Sequence, residues 1–317
     1  MIFESDKKRN VIYFGAPGTG KSYTLEDDKN KLLLGYENNY ARVTFHPDYS
    51  YANFVGTYKP VPIKEKNETH ITYEYVPGPF IRLLVKALDK PSEPFLLIIE
   101  EINRANVAAV FGDIFQLLDR EEDYTSRYPI DASLDAQKYL KSELKKSFDQ
   151  IEIPGNMFIW ATMNSADQGV FPMDTAFKRR WDFKYFGINE NEKEINQIKV
   201  TLHDKEIYWN KLRKVINKEL TRYKINEDKH LGPFFAFEEY AKVGEIPVDE
   251  FADIFKNKII MYLFEDAARS KRNKLFNGVK EEEYEGNISY SEICEKFDEI
   301  DVGIFNKNIR KNVVDDD

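Results

Sequence analysis

A glycine-rich run between an apolar strand and a helix constrains this chain more than any other feature. Val11-Ile12-Tyr13-Phe14 leads into Gly15-Ala16-Pro17-Gly18-Thr19-Gly20-Lys21-Ser22, a complete G-x-x-x-x-G-K-[ST] pattern. Its glycines let the backbone curl into a nest of N–H donors for phosphate oxygens. Lys21 suits the β- and γ-phosphates, Ser22 offers a hydroxyl to Mg²⁺, and a helix from about Lys21 adds its N-terminal dipole. The pattern demands a strand–loop–helix unit and so points to an α/β fold. All eight residues form the candidate nucleotide-binding loop.

Further short apolar runs behave as strands covered on both faces: Arg42–Phe45, Phe95–Ile99 and Met157–Thr162. The second ends in Glu100-Glu101, which puts carboxylates at the carboxyl edge of the sheet, where ligands of open α/β folds bind. Glu100 is the metal candidate and Glu101 the candidate for activating the attacking water. A solvated strand end would also account for two acids; the phosphate loop tips the reading to catalysis. Ile102-Asn103-Arg104-Ala105-Asn106 follows, then apolar residues at helical spacing from Val107 to Leu118, ending at Asp119-Arg120. Asn103 and Arg104 are either cap and surface ion pair or groups facing a neighbouring subunit's nucleotide. The Met157–Thr162 strand ends in Met163-Asn164-Ser165-Ala166-Asp167-Gln168, and Asn164 at such a tip can hydrogen-bond a γ-phosphate or the water. Met173–Trp181 reads as a helix closing in Lys178-Arg179-Arg180. Arg179 and Arg180 are candidates for stabilising a transferring phosphoryl group; favourable charge at a helix C-terminus is the plainer account of such a pair.

The chain has 317 residues, which suggests two domains, and 46 Lys+Arg against 55 Asp+Glu give a net charge of −9. This balance argues against broad non-specific nucleic-acid binding, though not against a local basic patch. No apolar run approaches membrane-spanning length and no secretory signal precedes the first strand, so the expected location is cytoplasmic. The single cysteine, Cys294, rules out an internal disulfide and reads as a buried thiol. A change of texture near Gly187–Asn189 divides residues 1–188, an α/β nucleotide-binding core, from residues 189–317, a smaller all-helical domain. In the latter, Asn189–His203, Tyr208–Thr221 and Phe251–Arg269 read as amphipathic helices. Two insertions interrupt the first part. Pro60–Phe80 suggests a projecting hairpin, and Ser126–Ile153 has strand-like ends around a helical middle, Gln137–Lys146. The tail beyond Asn306, ending Asp315-Asp316-Asp317, is expected to fray.

Taken in order, GAPGTGKS, FLLIIEEINRAN, ATMNSADQG and DTAFKRRWDF resemble the AAA+ domain of the McrB family, the nucleotide-driven motors of modification-dependent restriction systems. Val43-Thr44-Phe45-His46-Pro47-Asp48-Tyr49-Ser50-Tyr51 and Leu231-Gly232-Pro233-Phe234-Phe235 are similar to further family segments, so the likeness runs from about Asn10 to Phe237. The resemblance implies a parallel-sheet AAA+ P-loop core with a helical lid, assembly into a ring, expected to be hexameric, and hydrolysis of ATP or GTP with Mg²⁺ at subunit interfaces. It implies Asn164 as the sensor and Arg179 or Arg180 as the finger acting in trans. It also implies a separate nuclease partner, with DNA engaged through the assembled complex and no membrane involved. The chain departs from the pattern in having Glu100 where Asp is usual, Gln168 where Arg is usual, and Gly232-Pro233 where Gly-His is frequent, His230 standing upstream. Family members commonly carry an N-terminal domain that reads modified DNA. Here the first strand begins at Val11, so either the motor stands alone, recognition lies on a partner, or the sequence is a piece of a longer protein. The competing functions are a MoxR-like chaperone that remodels protein complexes, a nucleotide-gated scaffold with weakened turnover, and, least favoured, a P-loop kinase.

Overall fold

In a computed structural model, residues 3–65, 68–164, 170–202, 205–279 and 287–314 are described. The chain divides into two compact units, Met1–Phe14 with Ser22–Tyr185, and Gly15–Lys21 with Phe186–Asp317.

The first unit is built on β1 (Asn10–Gly15), α1 (Lys21–Leu32), β2 (Tyr40–Thr44), α2 (Tyr51–Phe54), β3 (Gly56–Glu65), β4 (Glu68–Pro77), α3 (Pro79–Asp89), β5 (Phe95–Glu100), α4 (Val107–Phe111), β6 (Ile130–Asp131), α5 (Leu134–Leu144), β7 (Gln150–Ile151), β8 (Met157–Asn164), α6 (Thr175–Lys178) and β9 (Asp182–Phe186). Five strands form one sheet in the order β2-β5-β8-β1-β9, and β5 runs parallel to both β2 and β8. Phe95 to Ile99 and Met157 to Ala161 are buried throughout, which explains why these segments are apolar without alternation. Each such Leu, Ile or Phe contributes about 1.5–3 kcal/mol on burial.

The hairpin expected over Pro60–Phe80 is β3 with β4, and it starts earlier, at Gly56. Phe80 instead enters α3, where it is buried. Tyr58 faces Tyr75, Pro60 faces Tyr73 and Pro62 faces Ile71 across this ladder, while Lys66 and Asn67 lie outside the described residues. In the second insertion β6 pairs with β7 around α5, whose cap is Ser133, accepting from the Ala136 amide at 3.2 Å. The helix expected from Val107 to Leu118 is interrupted: α4 ends at Phe111, and Gly112 at φ +51° turns the rest into a 3-10 helix. The helix expected over Met173–Trp181 shortens to the single turn α6, capped by Asp174, because Phe177 and Trp181 are drawn into the core before the chain enters β9.

The second unit contains β10 (Lys199–Leu202), β11 (Lys205–Tyr208), α7 (Trp209–Arg222), α8 (Val248–Ile254), α9 (Arg272–Leu275), α10 (Tyr290–Ile300) and α11 (Lys307–Val314). It is mostly helical, with one correction. Asn189–His203 forms no amphipathic helix: a short 3-10 turn at Glu192–Ile195 leads into β10, which pairs antiparallel with β11. Val200 and Leu202 alternate inward opposite Ile207 and Lys205, a period-2 pattern hidden among charges. His203 lies outside the described residues. The run expected over Phe251–Arg269 is helical, but after α8 it continues as π-turns at Phe255–Ile260 and Leu263–Ala267. The tail does not fray from Asn306: Ile309 and Val313, at i,i+4 spacing, are buried on α11, and only 315–317 fall outside the described residues. Cys294 is half-buried on α10 rather than fully enclosed, and burial raises its thiol pKa.

Candidate functional site

The phosphate loop follows β1 directly, and α1 opens at Lys21 with no acid in its first turn to repel an anion. Lys21 is buried along the loop, its Nζ donating to the carbonyls of Gly15 at 3.0 Å and Ala16 at 2.8 Å. Thr19 Oγ1 donates to the Ala16 carbonyl at 2.9 Å and closes the turn. Gly18 and Gly20 take φ of +74° and +89°, the left-handed region in which glycine is unstrained. Ser22 is exposed.

At the other candidate positions, the β5–β8 register pairs Ile99 with Ala161 and so brings the residues after them together. Thr162, buried on β8, donates its hydroxyl to Glu100 Oε2 and accepts the Glu101 amide at 3.1 Å. Asn164 Nδ2 donates to Glu101 Oε1 at 2.6 Å. Glu101 itself has φ +55°, unusual for a residue with a side chain, and this turn swings its carboxylate toward Asn164. Arg104 Nε lies 3.7 Å from Glu101 Oε2. Asn103 is buried, and its amide donates to the Asn164 carbonyl at 2.8 Å. On the β2 side, Arg42 Nη1 donates to Glu100 Oε1 at 2.8 Å while its other nitrogen holds Glu26 of α1.

The arginine pair is split. Arg180 has 8% of its side chain exposed, sits 2.7 Å from Asp119 Oδ2, and stacks its guanidinium 3.9 Å from the Phe115 ring centre. Arg179 is 64% exposed and only 3.9 Å from the same carboxylate. Ser165 to Gln168 lie outside the described residues.

Sequence reading missed Arg42, Thr162 and Asp119. The signals present were a lone cation within the β2 segment and a hydroxyl ending an otherwise apolar strand. It also missed what holds the Leu231–Phe235 segment. The Gly232 amide donates to the Pro17 carbonyl at 3.0 Å and the Phe234 amide to the Gly18 carbonyl at 2.8 Å.

The donors suit Mg²⁺: a serine hydroxyl and a strand-end carboxylate are hard oxygens, and Mg²⁺ bound with phosphates and water needs only one or two carboxylates. No cluster of three or more His, Cys, Asp or Glu able to hold a metal occurs among the described residues. Nor is any helix among them long and apolar enough to cross a membrane.

The AAA domain family (dynein-related subfamily) matches residues 10–181. The chain is 44% identical over 312 residues to the Type II restriction enzyme BsuMI component YdiS of Bacillus subtilis (strain 168), covering 92% of this chain and 86% of that protein. It is 29% identical over 182 residues to the Type IV methyl-directed restriction enzyme EcoKMcrB subunit of Escherichia coli (strain K12), covering 56% of this chain and 35% of that protein. A phosphate loop followed by a parallel sheet with acid and amide at neighbouring strand tips is the equipment of a P-loop nucleoside triphosphatase, and with these matches the chain belongs to the McrB family of AAA+ ATPases.

Proposed function

We propose that the chain is the ring-forming motor subunit of a restriction-type defence complex, hydrolysing ATP or GTP between subunits to drive DNA translocation or to activate a partner nuclease. The observation that carries this reading is the Asn164–Glu101 hydrogen bond, an amide that aims a strand-tip carboxylate. The relatives named as restriction-enzyme components supply the setting. In this reading residues 1–188 act as the nucleotide core and 189–317 as its lid.

Backbone amides of the Gly15–Gly20 loop, all but that of Pro17, which has no N–H, and the Lys21 ammonium bind the phosphates. Glu101 takes the proton of the attacking water, and Asn164 keeps its carboxylate oriented. Ser22 and Glu100 would hold Mg²⁺, which when bound neutralises charge on the β- and γ-phosphates. Arg179, exposed and loosely paired, is the residue able to reach a neighbouring subunit's nucleotide; Arg180 is committed to Asp119 and Phe115. Arg104 stays beside Glu101 as a second cation at that tip.

The test is hydrolysis of ATP and GTP by wild type, Lys21→Ala and Glu101→Gln, with modified and unmodified DNA and any co-encoded nuclease, alongside particle mass with and without nucleotide. Nucleotide-dependent assembly and loss of turnover in both variants support the reading. Unchanged turnover in Glu101→Gln, or a monomer at all concentrations with nucleotide bound, overturns it. Protein unfolding stimulated without DNA would move the assignment to a remodelling chaperone.

A further inference from the structure

Helix α7 carries Trp209, Arg213 and Asn217 at i, i+4 and i+8, one face of the helix. All three side chains end on the same short stretch of backbone. Trp209 Nε1 donates to the Pro233 carbonyl at 2.9 Å, and Arg213 Nη1 to the Leu231 carbonyl at 3.1 Å. Asn217 grips Leu231 twice, its Nδ2 donating to the carbonyl at 2.9 Å and its Oδ1 accepting from the amide at 2.8 Å. Arg213 is fully buried, and its remaining donors reach the Ile188 carbonyl, Asn189, Asn210 and Glu192. So large a buried commitment fixes Leu231–Pro233 tightly.

The next contacts fall on the phosphate loop. Gly232 and Phe234 donate their amides to the carbonyls of Pro17 and Gly18. The two backbones touch: a Cβ on Gly232 would stand 2.3 Å from the Gly18 carbonyl carbon, and one on Gly18 would stand 2.6 Å from Phe235 Cα. In a planar trans peptide the carbonyl of one residue and the N–H of the next point in opposite directions. Holding the Pro17 and Gly18 carbonyls therefore sets the direction of the Gly18 and Thr19 amides, two donors of the phosphate nest.

We infer that the Trp209–Arg213–Asn217 row positions the phosphate loop, with Arg213 and Asn217 acting through Leu231–Phe234 to aim the nest amides. The inference rests on the reading of Gly15–Ser22 as the nucleotide site. It makes α7 the element that tunes nucleotide affinity.

The experiment measures equilibrium binding of a fluorescent ATP or GTP analogue, with thermal melting, for wild type, Arg213→Lys, Asn217→Ala, Asn217→Asp, Lys21→Ala and Phe297→Leu. Arg213→Lys keeps the charge and loses the fork; Asn217→Asp keeps the acceptor and loses the donor. Each α7 variant should bind about five- to ten-fold more weakly, the scale of one or two lost hydrogen bonds. Phe297→Leu, a core change elsewhere in the same unit, should melt earlier yet bind as wild type does. Nucleotide should also change the Trp209 fluorescence, a signal missing in Trp209→Phe. If the Asn217 variants fold and bind like wild type while Lys21→Ala does not bind, the positioning role is overturned and the nucleotide site stands. If Lys21→Ala binds with wild-type affinity, the reading of the loop itself is overturned.

Discussion

Asn164 reaches across from the tip of β8 to Glu101, just past the tip of β5, and its amide nitrogen stands 2.6 Å from the carboxylate. A carboxylate pinned at one oxygen can aim the other, which is what a base must do to take a proton from water in a fixed position. Glu101→Gln should lower kcat by about 10²- to 10⁴-fold while nucleotide affinity stays near wild type. Thr162→Val removes the hydroxyl that ties Glu100 to the Glu101 backbone, and should give a smaller fall in kcat. Single-turnover kinetics with a separate binding titration check both.

Arg179 and Arg180 should part company on substitution. Arg180→Ala leaves Asp119 without its close partner and uncovers Phe115, a loss of about 2–4 kcal/mol for a largely buried pair. At this chain length each kcal/mol lowers the melting temperature by about 1–2 °C. Arg179→Ala should melt like wild type yet lose turnover in the assembled state, where a trans arginine is worth about 10³-fold or more. Mixing Arg179→Ala with Glu101→Gln subunits should restore part of the activity, since each would complete the other's interface.

Arg42 competes for the carboxylate assigned to metal. Its cation on Glu100 opposes a second cation there, so Arg42→Ala should lower the Mg²⁺ concentration for half-maximal turnover. A partly exposed pair of this kind is worth up to about 1 kcal/mol, so the shift should be about two- to five-fold. Magnesium titrations at saturating nucleotide measure it.

His230 confers a pH dependence on the second unit. Burial lowers its pKa below the ordinary 6.5, opposed by the hydrogen bond from Nε2 to the Ile225 carbonyl and by nearby Glu227 and Asp228. The unfolded chain therefore binds this proton more readily than the folded one. Stability contributed by the neutral ring is complete above about pH 6.5, falls as pH drops below it, and levels off once the folded ring is also protonated. Urea midpoints should decline from pH 7.5 to 5.5 in wild type and decline less in His230→Gln.

The phosphate loop and the acidic strand end were legible in the sequence because their chemistry leaves few alternatives: a nest needs glycines, and a strand covered on both faces needs an unbroken apolar run. What the sequence withheld depends on register. Nothing local says that Thr162 will stand between two glutamates, or that Arg42, on the neighbouring strand β2, will reach Glu100. Arg179 and Arg180 are chemically alike and adjacent, and only packing against Phe115 separates them. Lys199–Leu202 reads as helix because its flanks are rich in Lys and Glu; its strand character depends on pairing with Lys205–Tyr208. The site role of Leu231–Phe235 is unreadable locally because its partners, Pro17 and Gly18, lie more than two hundred residues earlier.

The left-handed backbone at Glu101 bears on how variants of this chain are found. A residue with a side chain held there costs about 1–2 kcal/mol relative to its preferred conformations, and glycine would remove that penalty. A screen for heat resistance would thus be drawn toward position 101 and reward loss of the very carboxylate proposed as the base. Any thermal selection on this protein should be scored together with turnover, because at the end of β5 the two properties pull in opposite directions.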